Sequence, residues 1–219
     1  RYSTFGDALV LQFWERGPGN TRHELELGFS GRILAYDGQD RFVVHRGETN
    51  EVQVLRHLLG PEAEQETLQL SNAGSPDEVE LQGEHLYLFQ TNPGELRHYT
   101  LPETFDGSPL SPDQVWSVEA GETFDSFTTL GNHAYVLTRL PAERAMRLDR
   151  FTLDKAEPDL SFRQNILADF LFDGTTPPYF FVEVDPTGHY LALRDTDRSV
   201  QIFNLSDLTL RDKIVFPDP

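Results

Sequence analysis

The sequence predicts an all-β protein, a β-propeller of four-stranded antiparallel blades with four full blades and a partial one. Three observations predict it. A short unit recurs four times, its turn glycines Gly38, Gly83, Gly131 and Gly188 lying 45, 48 and 57 residues apart. Each recurrence reads as a turn, a short apolar strand, a polar turn and an alternating strand. No long stretch carries the 3.6-residue apolar period of an amphipathic helix.

The units align residue by residue. Asp37-Gly38-Gln39-Asp40 leads into Arg41-Phe42-Val43-Val44, then Val52-Gln53-Val54-Leu55. Gln82-Gly83-Glu84-His85 leads into Leu86-Tyr87-Leu88-Phe89, then Leu96 to Leu101. Leu130-Gly131-Asn132-His133 leads into Ala134-Tyr135-Val136-Leu137, then Leu148 to Leu153. Pro186-Thr187-Gly188-His189 leads into Tyr190-Leu191-Ala192-Leu193, then Val200 to Leu205. The large apolar residues Leu55, Tyr99, Phe151 and Phe203 recur 44, 52 and 52 residues apart. Glycine at the turn permits a positive φ, which tight strand connections favour.

An inner strand precedes each turn, at Ile33–Tyr36, Val79–Leu81, Phe127–Leu130 and Phe180–Val184. An outer strand follows, at Thr67–Leu70, Val115–Val118, Phe162–Ile166 and Lys213–Phe216. Glu62 to Leu70 also has the composition of one or two helical turns, but a strand fits the repeat better. Four strands per unit at a period near 45 residues is blade arithmetic. The expected blades are residues 33–70, 79–118, 126–166 and 180–216, within a single domain over 1–219.

The last unit is similar to a WD-repeat β-propeller blade. Val182-Glu183-Val184-Asp185-Pro186-Thr187-Gly188-His189-Tyr190-Leu191-Ala192-Leu193, followed by Asp197-Arg198-Ser199-Val200-Gln201-Ile202-Phe203-Asn204-Leu205, resembles that family's blade pattern. Phe203 stands where the family has Trp and Asn204 where it has Asp. The other three units lack the Gly-His and Trp-Asp dipeptides. The resemblance implies the architecture, and a structural turn role for Asp197; propellers host many functions.

Ahead of the first unit lie the apolar segments Ala8–Trp14 and His23–Leu27, joined by the turn-rich Arg16-Gly17-Pro18-Gly19-Asn20. They read as the last two strands of a partial blade over residues 1–28. Either the chain forms a five-bladed ring with one thin blade, or it is part of a larger propeller. The second is expected, because an unpaired inner edge exposes backbone groups.

Composition narrows the function. With 36 acidic and 18 basic residues the net charge is −18, which repels phosphate backbones and argues against nucleic-acid binding. No apolar run reaches the roughly 20 residues needed to span a bilayer. There is no cysteine, which excludes disulfides, thiolate catalysis and Cys-based metal sites. Only Lys155 and Lys213 are lysines; few lysines and many carboxylates suit a salty habitat, and a GC-rich genome, the reading given more weight, also favours arginine.

Motifs for chemistry are sparse. No Walker A loop, paired-histidine zincin motif or calcium loop occurs, and Gly28-Phe29-Ser30-Gly31 lacks the nucleophile-elbow spacing. His85, His133 and His189 follow their turn glycines at equivalent places, which spreads them around a ring rather than gathering them on one metal. No metal or cofactor is therefore expected. Asp195 and Asp197 read as turn residues. Glu80, Glu183 and Asp185 lie on or beside inner strands, where opposed acids serve a glycosidase if suitably spaced.

The segment Phe170–Phe181, with Pro177-Pro178 at its centre, reads as a rigid surface loop with aromatic flanks. Phe172 and Tyr179 are its candidate binding anchors. The function expected is a non-catalytic platform for a protein partner or an assembly. The alternative is a carbohydrate-active propeller, a glycosidase using those acids or a lectin using aromatic platforms.

Overall fold

The structure is a computed structural model that describes residues 2–5, 8–14, 22–57, 65–165, 181–185, 187–196 and 199–216. Antiparallel sheets follow one another along the chain. The first is three-stranded: β1 (Tyr2–Phe5), β2 (Ala8–Trp14) and β3 (Arg22–Glu26), in that order. It corrects the expectation of two strands in residues 1–28. Tyr2-Ser3-Thr4-Phe5 pairs with Leu11-Val10-Leu9-Ala8, so the sheet has a third strand that its four-residue length concealed.

Four four-stranded sheets come next. They are β4 (Gly31–Tyr36), β5 (Phe42–Arg46), β6 (Glu51–Arg56) and β7 (Glu66–Leu70); then β8 (Glu78–Gln82), β9 (His85–Gln90), β10 (Glu95–Thr100) and β11 (Gln114–Ser117). The third has β12 (Thr123–Leu130), β13 (His133–Leu140), β14 (Ala145–Thr152) and β15 (Leu160–Asn165). The fourth has β16 (Phe181–Val184), β17 (Tyr190–Thr196), β18 (Ser199–Asn204) and β19 (Leu210–Val215). Within each sheet the strands neighbour one another in chain order. Among the described residues the one helical element is a 3₁₀ turn, Pro141–Glu143.

The turn glycines explain the hairpins between first and second strands. Gly38 and Gly83 have φ of +82° and +58°, and Gly131 and Gly188 are left-handed as well. A residue with a Cβ adopts that backbone only at a cost of about 1–2 kcal/mol. β13 and β14 run to eight residues each, longer than the repeat suggests, because Leu140 and Ala145 still pair at their far end.

The chain divides into two compact units. Unit 1 comprises residues 1–88 and 99–113; its core joins Val43, Val52, Val54, Leu68 and Leu70 to Leu86, Leu88, Tyr99 and Leu101. Alternation produces this: Val52 faces Leu70 and Val54 faces Leu68 across β6 and β7, so one sheet face is apolar. Arg32 Nη2 donates to the Pro76 carbonyl at 2.9 Å, tying β4 to the chain entering β8.

Unit 2 comprises residues 89–98 and 114–219. Its core packs Tyr135, Leu137, Met146 and Leu148 against Val182, Leu191, Leu193 and Phe203. β12 lies against β16, where the Val182 N–H donates to Ser126 Oγ at 3.3 Å. The recurring residues Leu55, Tyr99, Phe151 and Phe203 are all buried, so the repeat marks core positions.

Candidate functional site

The first hairpin turn of the first four-stranded sheet is built by one carboxylate. Asp37 Oδ1 accepts the N–H groups of Gln39, Asp40 and Arg41 at 2.8, 2.9 and 3.1 Å, and Oδ2 accepts Arg41 Nε at 2.8 Å. Burial alone would raise its pKa, but Arg41 and the three N–H donors outweigh this and hold the carboxyl below its ordinary value. Asp40, half-buried, takes the His57 backbone N–H at 2.8 Å and lies 2.9 Å from His57 Nδ1. His57 is itself left-handed, with φ +55°.

Asp37, Gln39, Asp40 and Arg41 line an open cleft of about 380 Å³ in unit 1. Gly83 and Glu84 of the β8–β9 turn, and Leu101, Pro102 and Glu103 beyond β10, line it as well. Arg56, at the end of β6, also lines it. Its Nη1 donates to the Glu103 carbonyl, it lies 3.8 Å from Glu66 Oε2, and its guanidinium sits 5.2 Å from the centre of the Phe105 ring. Four carboxylates (Asp37, Asp40, Glu84 and Glu103) therefore meet two guanidiniums, Arg41 and Arg56, that already have partners. The cleft keeps an acidic excess, and it suits a basic or hydrogen-bonding group.

Of the carboxylates singled out from sequence, Glu80 belongs to unit 1, and Glu183 and Asp185 belong to unit 2. Asp185, at the end of β16, builds a turn of the Asp37 kind. It accepts Thr187 Oγ1 at 2.7 Å, and its two oxygens take the N–H groups of Thr187, His189 and Tyr190 at 2.9, 2.9 and 3.0 Å. The Thr187 hydroxyl first, and then these N–H donors, hold its carboxyl far below the carboxylate range. Glu183 is exposed on β16, opposite Ala192. Glu80 belongs to unit 1, half-buried on β8, where Oε1 accepts Gln82 Nε2 at 2.7 Å. Burial, and then the charge of Glu80, push the phenol of buried Tyr87 well up.

His133 is held below the ordinary histidine value by burial first and by the Arg150 charge next. Thr187 Oγ1 lies 2.9 Å from His189 Nδ1, and His85 lies 3.9 Å from Glu84. Among the described residues no three His, Asp or Glu side chains gather as metal ligands do. Phe172, Tyr179 and the Pro177-Pro178 loop lie outside the described residues, as does Asp197. The sequence did not single out the cleft. Asp37, Arg56 and Glu103 are far apart in the chain and meet only once two sheets pack.

No protein-family model and no curated protein matches the chain. Solved structures do. Hsv2 of Kluyveromyces lactis superposes with a TM-score of 0.57 over 97% of this chain and 62% of its own, at 9% identity. BamB from Moraxella catarrhalis gives 0.56 over 97% and 63%, at 11% identity. Both are β-propellers. The fold of this chain is that of a β-propeller. Apo AztD from Citrobacter koseri, another propeller, gives 0.58 over 99% and 59%, at 11% identity. This propeller thus spans about three fifths of the length of these structures. Among the described residues no helix is long and apolar enough to cross a membrane.

Proposed function

We propose that this propeller is a non-catalytic, WD-repeat-like platform that binds a protein partner through a basic side chain. The cleft between Asp40, Glu84 and Glu103 carries the reading. It is open, it has more carboxylates than guanidiniums, and both guanidiniums are already engaged. Its wall at Asp37 is a turn locked by four hydrogen bonds, so little conformational entropy is lost when a ligand docks there. The geometry around Asp185 supports the same side of the choice. A carboxylate whose two oxygens are occupied by its own turn is poorly placed to act as acid or nucleophile. Phe172 and Tyr179 are proposed as aromatic anchors of a second contact.

The test is titration of the protein with Arg- and Lys-containing peptides against neutral and acidic controls. Basic peptides should bind, and Glu84→Lys combined with Glu103→Lys should weaken them tenfold or more, about 1.4 kcal/mol. Phe172→Ser and Tyr179→Ser should weaken a folded partner protein without lowering the melting temperature. Hydrolysis of chromogenic glycosides that disappears in Glu80→Gln, Glu183→Gln or Asp185→Asn would instead establish the carbohydrate-active alternative.

A further inference from the structure

Two of the four carboxylates that line the cleft each have a histidine beside them. Both oxygens of Asp40 face His57: Oδ1 accepts the His57 backbone N–H at 2.8 Å, and Oδ2 lies 2.9 Å from the ring nitrogen Nδ1. Glu84 Oε1 lies 3.9 Å from His85 Nε2. The two histidines come from different sheets, one just past β6 and the other at the start of β9. Backbone hydrogen bonds hold both pairs in place. The Asp40 N–H donates to Asp37 Oδ1 at 2.9 Å, and the Glu84 carbonyl accepts the Leu101 N–H at 2.8 Å. Both imidazoles are partly exposed, so protons from solvent reach them.

Charge makes these pairs consequential. Asp37, Asp40, Glu84 and Glu103 against Arg41 and Arg56 leave the cleft lining at a formal −2. Two imidazolium ions beside it would bring that to zero. The other charged groups around His57 are Arg56 next to it in the chain, Arg41 on the first turn, Glu103 beyond β10 and Glu66 on β7, 3.8 Å from Arg56. Around His85, β8 contributes Glu80, and Asp113 accepts the Thr100 N–H at 2.6 Å at the end of β10. Carboxyl and guanidinium groups ordinarily keep their charge between pH 5 and 8, whereas imidazole ordinarily changes its charge there.

We infer that the cleft is gated by pH: it takes a basic side chain while His57 and His85 are neutral and releases it when they are protonated. This rests on the reading of the cleft as a site for a basic group. The direction follows from the geometry. A proton on His57 places a positive charge 2.9 Å from Asp40, and one on His85 places a charge 3.9 Å from Glu84. Each offsets an acid that meets the ligand. The partner's arginine or lysine stays charged throughout, so it loses attraction and meets repulsion. Reciprocity requires that binding in this range expel protons from the protein.

The probe is a peptide of arginine and lysine without histidine, acetylated and amidated at its ends so that it does not itself titrate. It is titrated into the protein at constant low salt from about pH 7.5 to about pH 5.5. Its affinity should fall about fivefold or more, the scale of two unit charges about 8 Å from the ligand at the dielectric of water. Calorimetry in buffers of differing ionisation heat should register proton release on binding. His57→Asn combined with His85→Gln should bind equally well at both ends of the range and release no protons. Asn suits position 57, where the backbone is left-handed at φ +55°. If the double variant fails to fold, His85→Gln alone should roughly halve the proton release. No binding at about pH 7.5 removes the basic-group reading and the gate with it. Binding that ignores pH, or a fall that survives in the folded double variant, overturns the gate alone.

Discussion

The indole of Trp116 packs on the ring of Phe151, centroids 5.3 Å apart, while its Nε1 donates to the Lys155 carbonyl at 2.9 Å. One side chain thus joins the outer strand of one sheet to the third strand and following turn of the next. Phe151→Ala removes the ring that fills this contact and should cost about 3–5 kcal/mol. Trp116→Phe keeps most of the packing but strands a carbonyl, and should cost about 1–3 kcal/mol. Urea unfolding of both variants checks the order. If Phe151→Ala is the milder change, the ring is not a core element.

A buried carboxylate organises the middle of unit 2. Asp149 Oδ2 accepts Arg147 Nε at 2.6 Å, and Oδ1 accepts Ser161 Oγ at 2.6 Å. Arg147 also reaches Glu122 with both terminal nitrogens, at 3.0 and 3.1 Å. Asp149→Ala would leave Arg147 held from one side and the serine hydroxyl unpaired. Breaking a buried ion pair from one side costs about 3–5 kcal/mol, and Arg147 is partly exposed, so a loss at the lower end is expected. Ser161→Ala should cost about 1 kcal/mol. Equal melting temperatures for wild type and Asp149→Ala would show the network to be dispensable.

Acid should unfold the protein partly through carboxylates held by their partners. Asp159 is lowered first by its hydrogen bond to Arg150, at 3.0 and 2.7 Å, and Asp37 is lowered by Arg41 and its turn against the pull of burial. A carboxyl with a lowered folded-state pKa lends its full stability above the unfolded value, about 3.9, and loses it as pH falls through the folded value. Asp125 works the other way. Burial raises it despite its paired contact with Arg139, so its charge opposes folding at neutral pH. Asp37→Asn should therefore lower the melting temperature at pH 6 and narrow its gap to wild type near pH 3. A gap that stays constant across that range would remove Asp37 from the acid transition.

The glycine at each first turn makes a separate prediction. A Cβ on Gly83 or Gly131 would meet nothing within 4 Å, so only backbone strain opposes it. Gly83→Ala should cost about 1–2 kcal/mol, the penalty for a left-handed non-glycine residue. Gly188→Ala should cost more, since its Cβ would come within 3.1 Å of Leu130 Cδ2. Chemical denaturation of the two variants separates strain from crowding, and a neutral Gly83→Ala would show that the turn relaxes.

Architecture was more legible than the site, for physical reasons. Short apolar runs and turn glycines are local signals, so Gly83 and Leu86 to Phe89 announce their hairpin without any partner. β1 was missed because four residues, Tyr2 to Phe5, give too little alternation to register. The bulge at Asp125 was also hidden: it interrupts the pairing between Phe124 and Ser126 and presents its carboxylate to Arg139. The cleft could not be read, because the contact between Arg56 and the Glu103 carbonyl spans 47 residues. Asp185 could be placed on its turn, yet its role follows from hydrogen bonds that sequence does not reveal.

Charge sets the last prediction. The chain carries −18, so diffuse repulsion among carboxylates opposes the compact state. Several arginines are committed to close pairs, including Arg139 with Asp125 and Arg150 with Asp159. Salt acts on the two populations unequally: partly buried pairs at 2.6–2.7 Å are screened less than exposed charges far apart. The Debye length falls from about 30 Å at 0.01 M salt to about 10 Å at 0.1 M, so most relief of repulsion comes at low concentration. The melting temperature should rise steeply over that interval and level off below about 0.5 M sodium chloride. A flat curve would mean that pairing has already cancelled the repulsion, and a falling curve would mean that surface ion pairs hold the fold together.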